Sequence, residues 1–137
     1  MFTLDSRLEK DTVRIGNFSL CEVLLMNDSN FPWVILVPKR EGITEIFELS
    51  PVDQRQLLAE SVFVAQQMRQ HFSADKMNVA ALGNVVSQLH LHHIARYKDD
   101  AAWPRPVWGA VAAVPYSGEE LVVAVELMED LFSEMLE

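Results

Sequence analysis

The sequence predicts an α+β domain, in which an antiparallel sheet of about five strands packs against one central helix and is followed by a C-terminal helix. Short apolar segments, rich in β-branched residues and separated by turn residues, precede Lys39 and favour strands. Two later segments begin with capping signals and favour helices. The connections between the early strands are too short for the crossovers that parallel strands need, so an antiparallel sheet is expected.

Three strands are expected near the N-terminus. Residues 11–18 and 19–27 form the first two, and residues 28–30 form a cluster of turn residues after them. Residues 33–37 then make a buried, β-branched strand. Pro38 ends this strand because proline has no backbone N–H to donate to a neighbouring strand.

A central helix is predicted to begin at Ser50 and to end near His71. Ser50 can cap its N-terminus, the proline that follows suits the first helical position, and Asp53 places a carboxylate in the first turn. Two further strands are expected after this helix, over residues 76–86 and 88–97.

The C-terminal helix is predicted to begin near Ser117, which can cap it, and two glutamates lie in its first turn. Apolar residues recur along it at spacings of three and four, which is typical of a helix with one buried face: Leu121, Val125, Met128, Leu131, Phe132 and Met135. This apolar face is expected to pack on the sheet, with a second subunit as the alternative.

The length and composition indicate one ordinary domain. No repeat or linker-like segment divides the 137 residues, so residues 1–137 are expected to form a single domain. The only cysteine, Cys21, has no partner for an internal bridge, which fits a reducing compartment. No apolar run approaches the roughly 18 residues of a membrane span, and no signal peptide is recognisable. The expected protein is cytoplasmic and does not bind membranes.

The charge distribution limits the class of ligand. The net charge of −9 argues against general binding to the phosphate backbone of nucleic acids. Residues 107–137 hold seven carboxylates and no Lys or Arg, whereas the rest of the chain carries 11 basic and 13 acidic groups. That nearly neutral part leaves room for a local site that binds a small phosphorylated ligand.

Three of the four histidines lie close together in the strand predicted over residues 88–97. Alternate residues of a strand point to the same face, so Gln88, His90 and His92 are expected on one face, about 6.6 Å apart in steps of two residues. His93 is expected to point to the other face and to be packed there.

The segment Gln88–Ile94 resembles the motif of the histidine triad (HIT) family, His-φ-His-φ-His-φ-φ, in which φ is apolar. Here glutamine takes the place of the first histidine. The Arg96 that follows is similar to the Pro-Arg that often closes the motif in one branch of the family. Upstream, the strand that ends in Asn27 and the strand over residues 33–38 are similar to two further strands of the family, with Trp33 at the position of a frequent histidine.

This resemblance implies a HIT-like fold and hydrolysis or transfer of a nucleotidyl group from a nucleoside phosphate or dinucleoside polyphosphate. It makes His90 the nucleophile, which attacks the α-phosphorus and forms a covalent nucleotidyl-imidazole that water later cleaves. His92 and Gln88 would bind phosphate oxygens, although glutamine cannot become cationic. Asn27 and Asn84 would position the nucleotide.

The resemblance implies two further substrate-binding candidates and a partner. Trp33 offers one indole N–H at the position of the upstream histidine, and Arg96 can meet phosphates. The family is commonly homodimeric, so a homodimer is expected, and no cofactor is implied.

The residues leave other interpretations open. His90 and His92 also fit the solvated face of an edge strand, or a metal site completed by His71, but no carboxylate or cysteine lies at ligand spacing beside them, so no metal is predicted. Asn84 can equally serve an unusual backbone angle, and Arg96 can simply be solvated. The alternatives to catalysis are nucleotide binding without turnover and a homodimeric interaction protein on the same scaffold.

Overall fold

The computed structural model describes residues 1–137, which form one five-stranded sheet, three α-helices and a short 3-10 turn. The predicted α+β class, the five strands and both predicted helices are confirmed. In chain order the elements are α1 (Ser6–Asp11), β1 (Thr12–Asn17), β2 (Cys21–Met26), β3 (Trp33–Pro38), the 3-10 turn (Ile46–Glu48), α2 (Pro51–Phe72), β4 (Lys76–Ala80), β5 (Leu91–Arg96) and α3 (Gly118–Leu131).

The sheet is antiparallel throughout, with strand order β1-β2-β3-β5-β4. Strands β3 and β5 therefore lie inside the sheet, and all of their residues are buried. In the register between them Ile35 lies opposite His92 and Val34 lies opposite His93. Because successive side chains of a strand point to opposite faces, the two histidines belong to different faces of the sheet.

Helix α2 packs on one face of the sheet and contributes to the larger of two apolar clusters. Its N-terminus is capped as predicted, because Ser50 Oγ accepts a hydrogen bond from the backbone N–H of Asp53 at 3.1 Å. Leu57, Val64 and Met68 are buried in the larger cluster. These three residues lie on the face of the helix that packs on the sheet.

Glu60 ties α2 to the start of β2. Its carboxylate is fully buried and accepts hydrogen bonds from the backbone N–H groups of Leu20 at 2.9 Å and Cys21 at 3.0 Å. Burial, and then the charge of Glu60, raise the pKa of the Cys21 thiol above its usual value. The thiol is therefore held in its protonated, unreactive form.

Two predicted strands are shorter in the structure than expected. The strand predicted over residues 76–86 ends at Ala80, and the strand predicted over residues 88–97 spans Leu91–Arg96. Residues 81–90 form the connection between these antiparallel neighbours, and Gly83 turns the chain there with a φ of 76°. His90 therefore lies just before β5, outside the paired region.

Helix α1 was not predicted, because its six residues are too few to show an apolar period. Asp5 caps it by accepting a hydrogen bond from the backbone N–H of Arg7 at 2.8 Å. Leu4 and Leu8 are buried in the smaller apolar cluster, which also contains Trp33. The N-terminal segment thus covers the sheet on the face opposite α2.

Helix α3 begins after Ser117, as predicted. The side chains of Ser117 and Glu120 each accept a hydrogen bond from the backbone N–H of the other residue, at 3.3 and 3.2 Å, which forms a capping box. Met128 and Phe132 are buried in the larger apolar cluster, so part of the predicted apolar face packs on the chain's own core. None of the helices combines the length and the apolar composition needed to cross a membrane.

Candidate active site

A cleft of about 360 Å³ lies on the face of the sheet that carries α1. Helix α1, the end of β2, the inner strands, the 81–90 connection and the segment after β5 all contribute to its walls. The lining residues are Arg7, Leu8, Asp11, Met26, Ile35, Leu82, Gly83, Asn84, Val85, Val86, His90, His92 and Trp108. The cleft therefore contains the two histidines of the predicted site, surrounded mainly by apolar side chains.

The backbone fixes the protonation of His90. Its Nδ1 lies 2.7 Å from the carbonyl oxygen of Gln88. Because a carbonyl oxygen only accepts hydrogen bonds, Nδ1 must carry the proton. In the neutral ring the other nitrogen, Nε2, then holds a lone pair, as a nucleophile requires.

The side chain of Trp33 fixes the opposite placement of the ring proton in His92. The indole N–H of Trp33 donates a hydrogen bond to His92 Nδ1 at 3.0 Å. Because an indole N–H only donates, Nδ1 holds the lone pair and Nε2 carries the proton. Burial, followed by the nearby His90 and His93, lowers the pKa of His92 to about 3. His92 is therefore neutral at neutral pH and presents an N–H group.

Aromatic packing holds the two imidazoles in place. The ring centroids of His90 and His92 are 4.9 Å apart, and both side chains are nearly buried. The His92 ring also lies 5.7 Å from that of Trp33 and 5.0 Å from that of Trp108. One lone pair and one N–H donor thus lie side by side in a largely apolar cleft, an arrangement suited to attack on a group whose oxygens gain negative charge.

His93 lies on the other face of the sheet, as predicted. Its Nε2 is 2.8 Å from the hydroxyl of Ser61 on α2, and its Nδ1 is 3.3 Å from the carbonyl oxygen of Val34. The side chain is fully buried, and burial lowers its pKa to about 4. His93 therefore joins the sheet to α2 and takes no part in the cleft.

The comparison with known families agrees with the motif. The profile of the HIT domain family matches residues 7–99. The chain belongs to the histidine triad family. No functionally curated protein matches it in sequence.

Three solved structures of histidine triad proteins are similar to this one over nearly its whole length. The protein from Marinobacter aquaeolei VT8 is 51% identical with a TM-score of 0.96, and the match covers 98% of each chain. The proteins from Sinorhizobium meliloti 1021 and Bradyrhizobium japonicum are 46% and 40% identical, each with a TM-score of 0.91. Each of these two matches covers 99% of this chain and 98% of the other.

In this histidine triad protein the side chain of Gln88 is not among the residues that line the cleft and binds the N-terminal segment instead. Its Oε1 accepts a hydrogen bond from the backbone N–H of Asp5, and its Nε2 donates one to the carbonyl oxygen of Thr3, both at 2.9 Å. Gln88 precedes the paired residues of β5, so ladder hydrogen bonds do not fix its orientation. Its backbone carbonyl remains at the site, beside His90.

The two predicted asparagines are separated in the structure. Asn84 lines the cleft, and the positive φ of this turn belongs to the preceding Gly83, so an unusual backbone angle does not explain Asn84. Asn27 is not among the lining residues. Its Oδ1 accepts a hydrogen bond from the backbone N–H of Tyr116 at 3.0 Å and so holds the segment before α3.

Arg96 is buried in a polar network and does not line the cleft. Its guanidinium binds both carboxylate oxygens of Asp100, at 2.8 and 3.1 Å, and donates to the side chain of Asn78 and the carbonyl oxygen of Arg105. Burial alone would raise the pKa of Asp100, but the hydrogen bonds from Arg96 and from nearby backbone N–H groups outweigh it and lower that pKa. The pair holds the segment after β5 in place.

Ten of the thirteen residues that line the cleft were not predicted as site residues, among them Arg7, Leu8, Asp11 and Trp108. The first three come from α1, where Asp5 as a cap and the spacing of Leu4 and Leu8 were the available signals. Trp108 follows β5 in a segment without regular periodicity. No group of three or more His, Cys, Asp or Glu side chains is placed to hold a metal ion.

We expect the stability of this histidine triad protein to fall in mild acid. His92 and His93 have pKa values of about 3 and 4 in the folded chain, against 6.5 as the ordinary value. Below about pH 6.5 the unfolded state therefore binds more protons, and the free energy of unfolding decreases by up to about 1.4 kcal/mol per pH unit for each histidine. Urea unfolding between about pH 7 and pH 5 measures this slope. His93→Gln is expected to remove the contribution of one histidine from this pH dependence. An unchanged slope would show that His93 is not buried in its neutral form.

Replacement of Arg96 tests its structural role. Arg96→Met is expected to lower the free energy of unfolding by about 3–5 kcal/mol, because Asp100 remains buried without its cation. Arg105→Met is the matched control, since the exposed side chain of Arg105 has no partner. It should lower the free energy of unfolding by less than about 0.5 kcal/mol. If Arg96→Met keeps its stability and loses only ligand affinity, the structural role is wrong and the predicted substrate contact gains support.

Proposed function

We propose that this protein is a hydrolase or transferase that acts on a nucleoside phosphate or dinucleoside polyphosphate through a covalent nucleotidyl-histidine. The observation that supports this most strongly is the opposite protonation of His90 and His92 in one cleft. In a displacement at phosphorus, a lone pair attacks while hydrogen-bond donors stabilise the charge on the phosphate oxygens. The two imidazoles supply one group of each kind.

In the first proposed step, the lone pair of His90 Nε2 forms a bond to the α-phosphorus, and the bond from that phosphorus to the leaving oxygen breaks. The leaving group departs with this electron pair and takes a proton from solvent. The His90 ring then carries the nucleotidyl group on Nε2 and its proton on Nδ1, so it is cationic. The carbonyl oxygen of Gln88 accepts the hydrogen bond from Nδ1 and stabilises this cation.

In the second step, a water oxygen, or the acceptor oxygen of a transfer reaction, forms a bond to the same phosphorus. The N–P bond breaks and its electron pair returns to His90 Nε2, while the attacking oxygen loses a proton to solvent. His92 donates from Nε2 to a phosphate oxygen in both steps. Because its pKa is lowered to about 3, it acts as a neutral donor throughout the physiological pH range.

The other predicted site residues have different parts in this proposal. Asn84, in the cleft wall, positions the nucleotide. Trp33 acts through His92 and does not bind the substrate itself. Gln88 contributes its backbone carbonyl rather than a side chain that binds phosphate. Asn27 acts only indirectly, by holding the segment before α3 through Tyr116.

The decisive variant is His90→Ala. Turnover of a panel that includes diadenosine tetraphosphate and adenosine phosphoramidate, followed by chromatography, should fall about 1000-fold or more, because no other side chain replaces the nucleophile. His71→Ala is the matched control, since His71 lies exposed near the end of α2 and outside the cleft, and it should retain full turnover. Unchanged turnover in His90→Ala would contradict the proposed mechanism.

Nucleotide binding without turnover is the second candidate function. It is favoured by the side chain of Gln88, which occupies the position of the first motif histidine and hydrogen-bonds to the N-terminal segment instead of the cleft. This candidate predicts that the wild-type protein binds a nucleotide in calorimetry but cleaves no member of the panel. Absence of both binding and cleavage would exclude both candidates.

We also propose a homodimer that uses the outer edge of β4. This edge is unpaired in the sheet, and a second copy can pair with it antiparallel about a two-fold axis. A largely apolar cleft of about 500 Å³ lies beside it, and exposed Ile46, Leu58 and Val79 contribute to its lining. An interaction protein on this scaffold, the third interpretation of the sequence, would use the same face.

The oligomeric state tests this face directly. Wild-type protein is expected to sediment as a dimer, and Leu58→Asp should sediment as a monomer because it places a charge in the apolar contact. Val122→Asp is a matched control, because Val122 is an exposed valine of α3 distant from this cleft. A wild-type monomer, or a Leu58→Asp dimer, would contradict the proposal.

We further propose that the protein acts in the cytoplasm on small phosphorylated ligands. Cys21 is the only cysteine, and its buried thiol is unpaired, as is common in reducing compartments. The net charge of −9 disfavours nucleic acid as a partner.

A further inference from the structure

The side chain of Gln88 holds the N-terminal segment against the cleft. Its amide oxygen accepts from the backbone N–H of Asp5 and its amide nitrogen donates to the carbonyl oxygen of Thr3, both at 2.9 Å. A neighbouring strand would bind the two backbone groups in the same way. Because Leu4, which lies between these two residues, and Leu8 are both buried, the segment is fixed in position.

Arg7 lies at the cleft as a result. It is the only Lys or Arg among the lining residues. Its Nη1 donates to the carbonyl oxygen of Val85 at 3.1 Å, and no carboxylate forms an ion pair with it. An arginine has five N–H groups, so donors remain for a ligand.

We propose that Arg7 is the cationic contact for the phosphate of the ligand, and that Gln88 is the positioning residue that holds Arg7 at the cleft. This inference rests on the proposed function, since it takes the ligand of the cleft to be a nucleoside phosphate. His92 presents a neutral N–H, and the proposed mechanism uses His90 as a lone pair, so neither balances the negative charge of such a ligand. A guanidinium does so, and its planar pair of N–H groups matches two phosphate oxygens.

Calorimetry on the full chain, with adenosine monophosphate and adenosine as probes, separates the phosphate contact from the rest of the ligand. Arg7→Gln should weaken the binding of adenosine monophosphate about 10- to 100-fold and leave the binding of adenosine unchanged. Lys10→Gln is the matched control, because Lys10 is exposed on the same helix, carries the same charge and does not line the cleft. It should change neither affinity more than about twofold.

Gln88→Met tests the positioning role, since it removes both hydrogen bonds but keeps the backbone carbonyl beside His90. Binding of adenosine monophosphate should weaken and binding of adenosine should not. In the Gln88→Met background, Arg7→Gln should weaken the binding of adenosine monophosphate much less than it does in the wild-type background, because the two residues act through one contact. Amide hydrogen exchange of residues 3–11 should become faster in Gln88→Met, which a variant with an undisturbed segment would not show.

The outcomes distinguish this inference from the proposed function. If wild-type protein binds neither probe, the proposed function fails and the inference fails with it. If wild-type protein binds adenosine monophosphate and Arg7→Gln binds it as tightly as Lys10→Gln does, only the assignment of Arg7 is wrong. If the effects of Gln88→Met and Arg7→Gln simply add, Gln88 does not position Arg7.

Discussion

The hydrogen bond from Trp33 to His92 is the interaction on which the site depends. It joins the neighbouring strands β3 and β5 and decides which nitrogen of His92 remains free for the cleft. An imidazole at position 33 could donate or accept, whereas an indole can only donate. Tryptophan therefore fixes a single protonation state of His92, and burial between aromatic rings keeps that state neutral.

The sheet positions His92, whereas residues just before β5 position His90. His90 lies before the paired residues of β5, so ladder hydrogen bonds do not orient it. The carbonyl oxygen of Gln88 orients its ring instead, and the side chain of the same residue binds the N-terminal segment. Gln88 thus links the proposed nucleophile to the wall that carries Arg7, using its backbone for one contact and its side chain for the other.

Patterns that are local in sequence predicted the fold well. The capping residues Ser50 and Ser117 located both long helices, and alternation along β5 placed His92 and His93 on opposite faces. Pairing begins only at Leu91, so the ladder does not fix the orientation of Gln88. Whether a segment pairs depends on its partners, which a single sequence does not reveal.

Most features of the site that were not predicted from the sequence depend on contacts between residues that are distant in the chain. Helix α1 is too short to be recognised by periodicity, and Gln88 binds Asp5 across 83 residues of chain. The resemblance to the family motif made Arg96 a candidate for binding phosphate. In the structure Arg96 is buried against Asp100, because a buried guanidinium needs a carboxylate to offset its desolvation.

The most direct test of the account is the location of the imidazole protons at neutral pH, measured by long-range proton–nitrogen correlation NMR on ¹⁵N-labelled protein. We predict one neutral form for each of the two histidines of the cleft, with the proton on Nδ1 in His90 and on Nε2 in His92. Exposed His71 serves as the internal reference for an unconstrained ring. A proton on Nε2 of His90, or a cationic His92, would contradict the account, because the cleft would then lack either the nucleophile or its neutral donor.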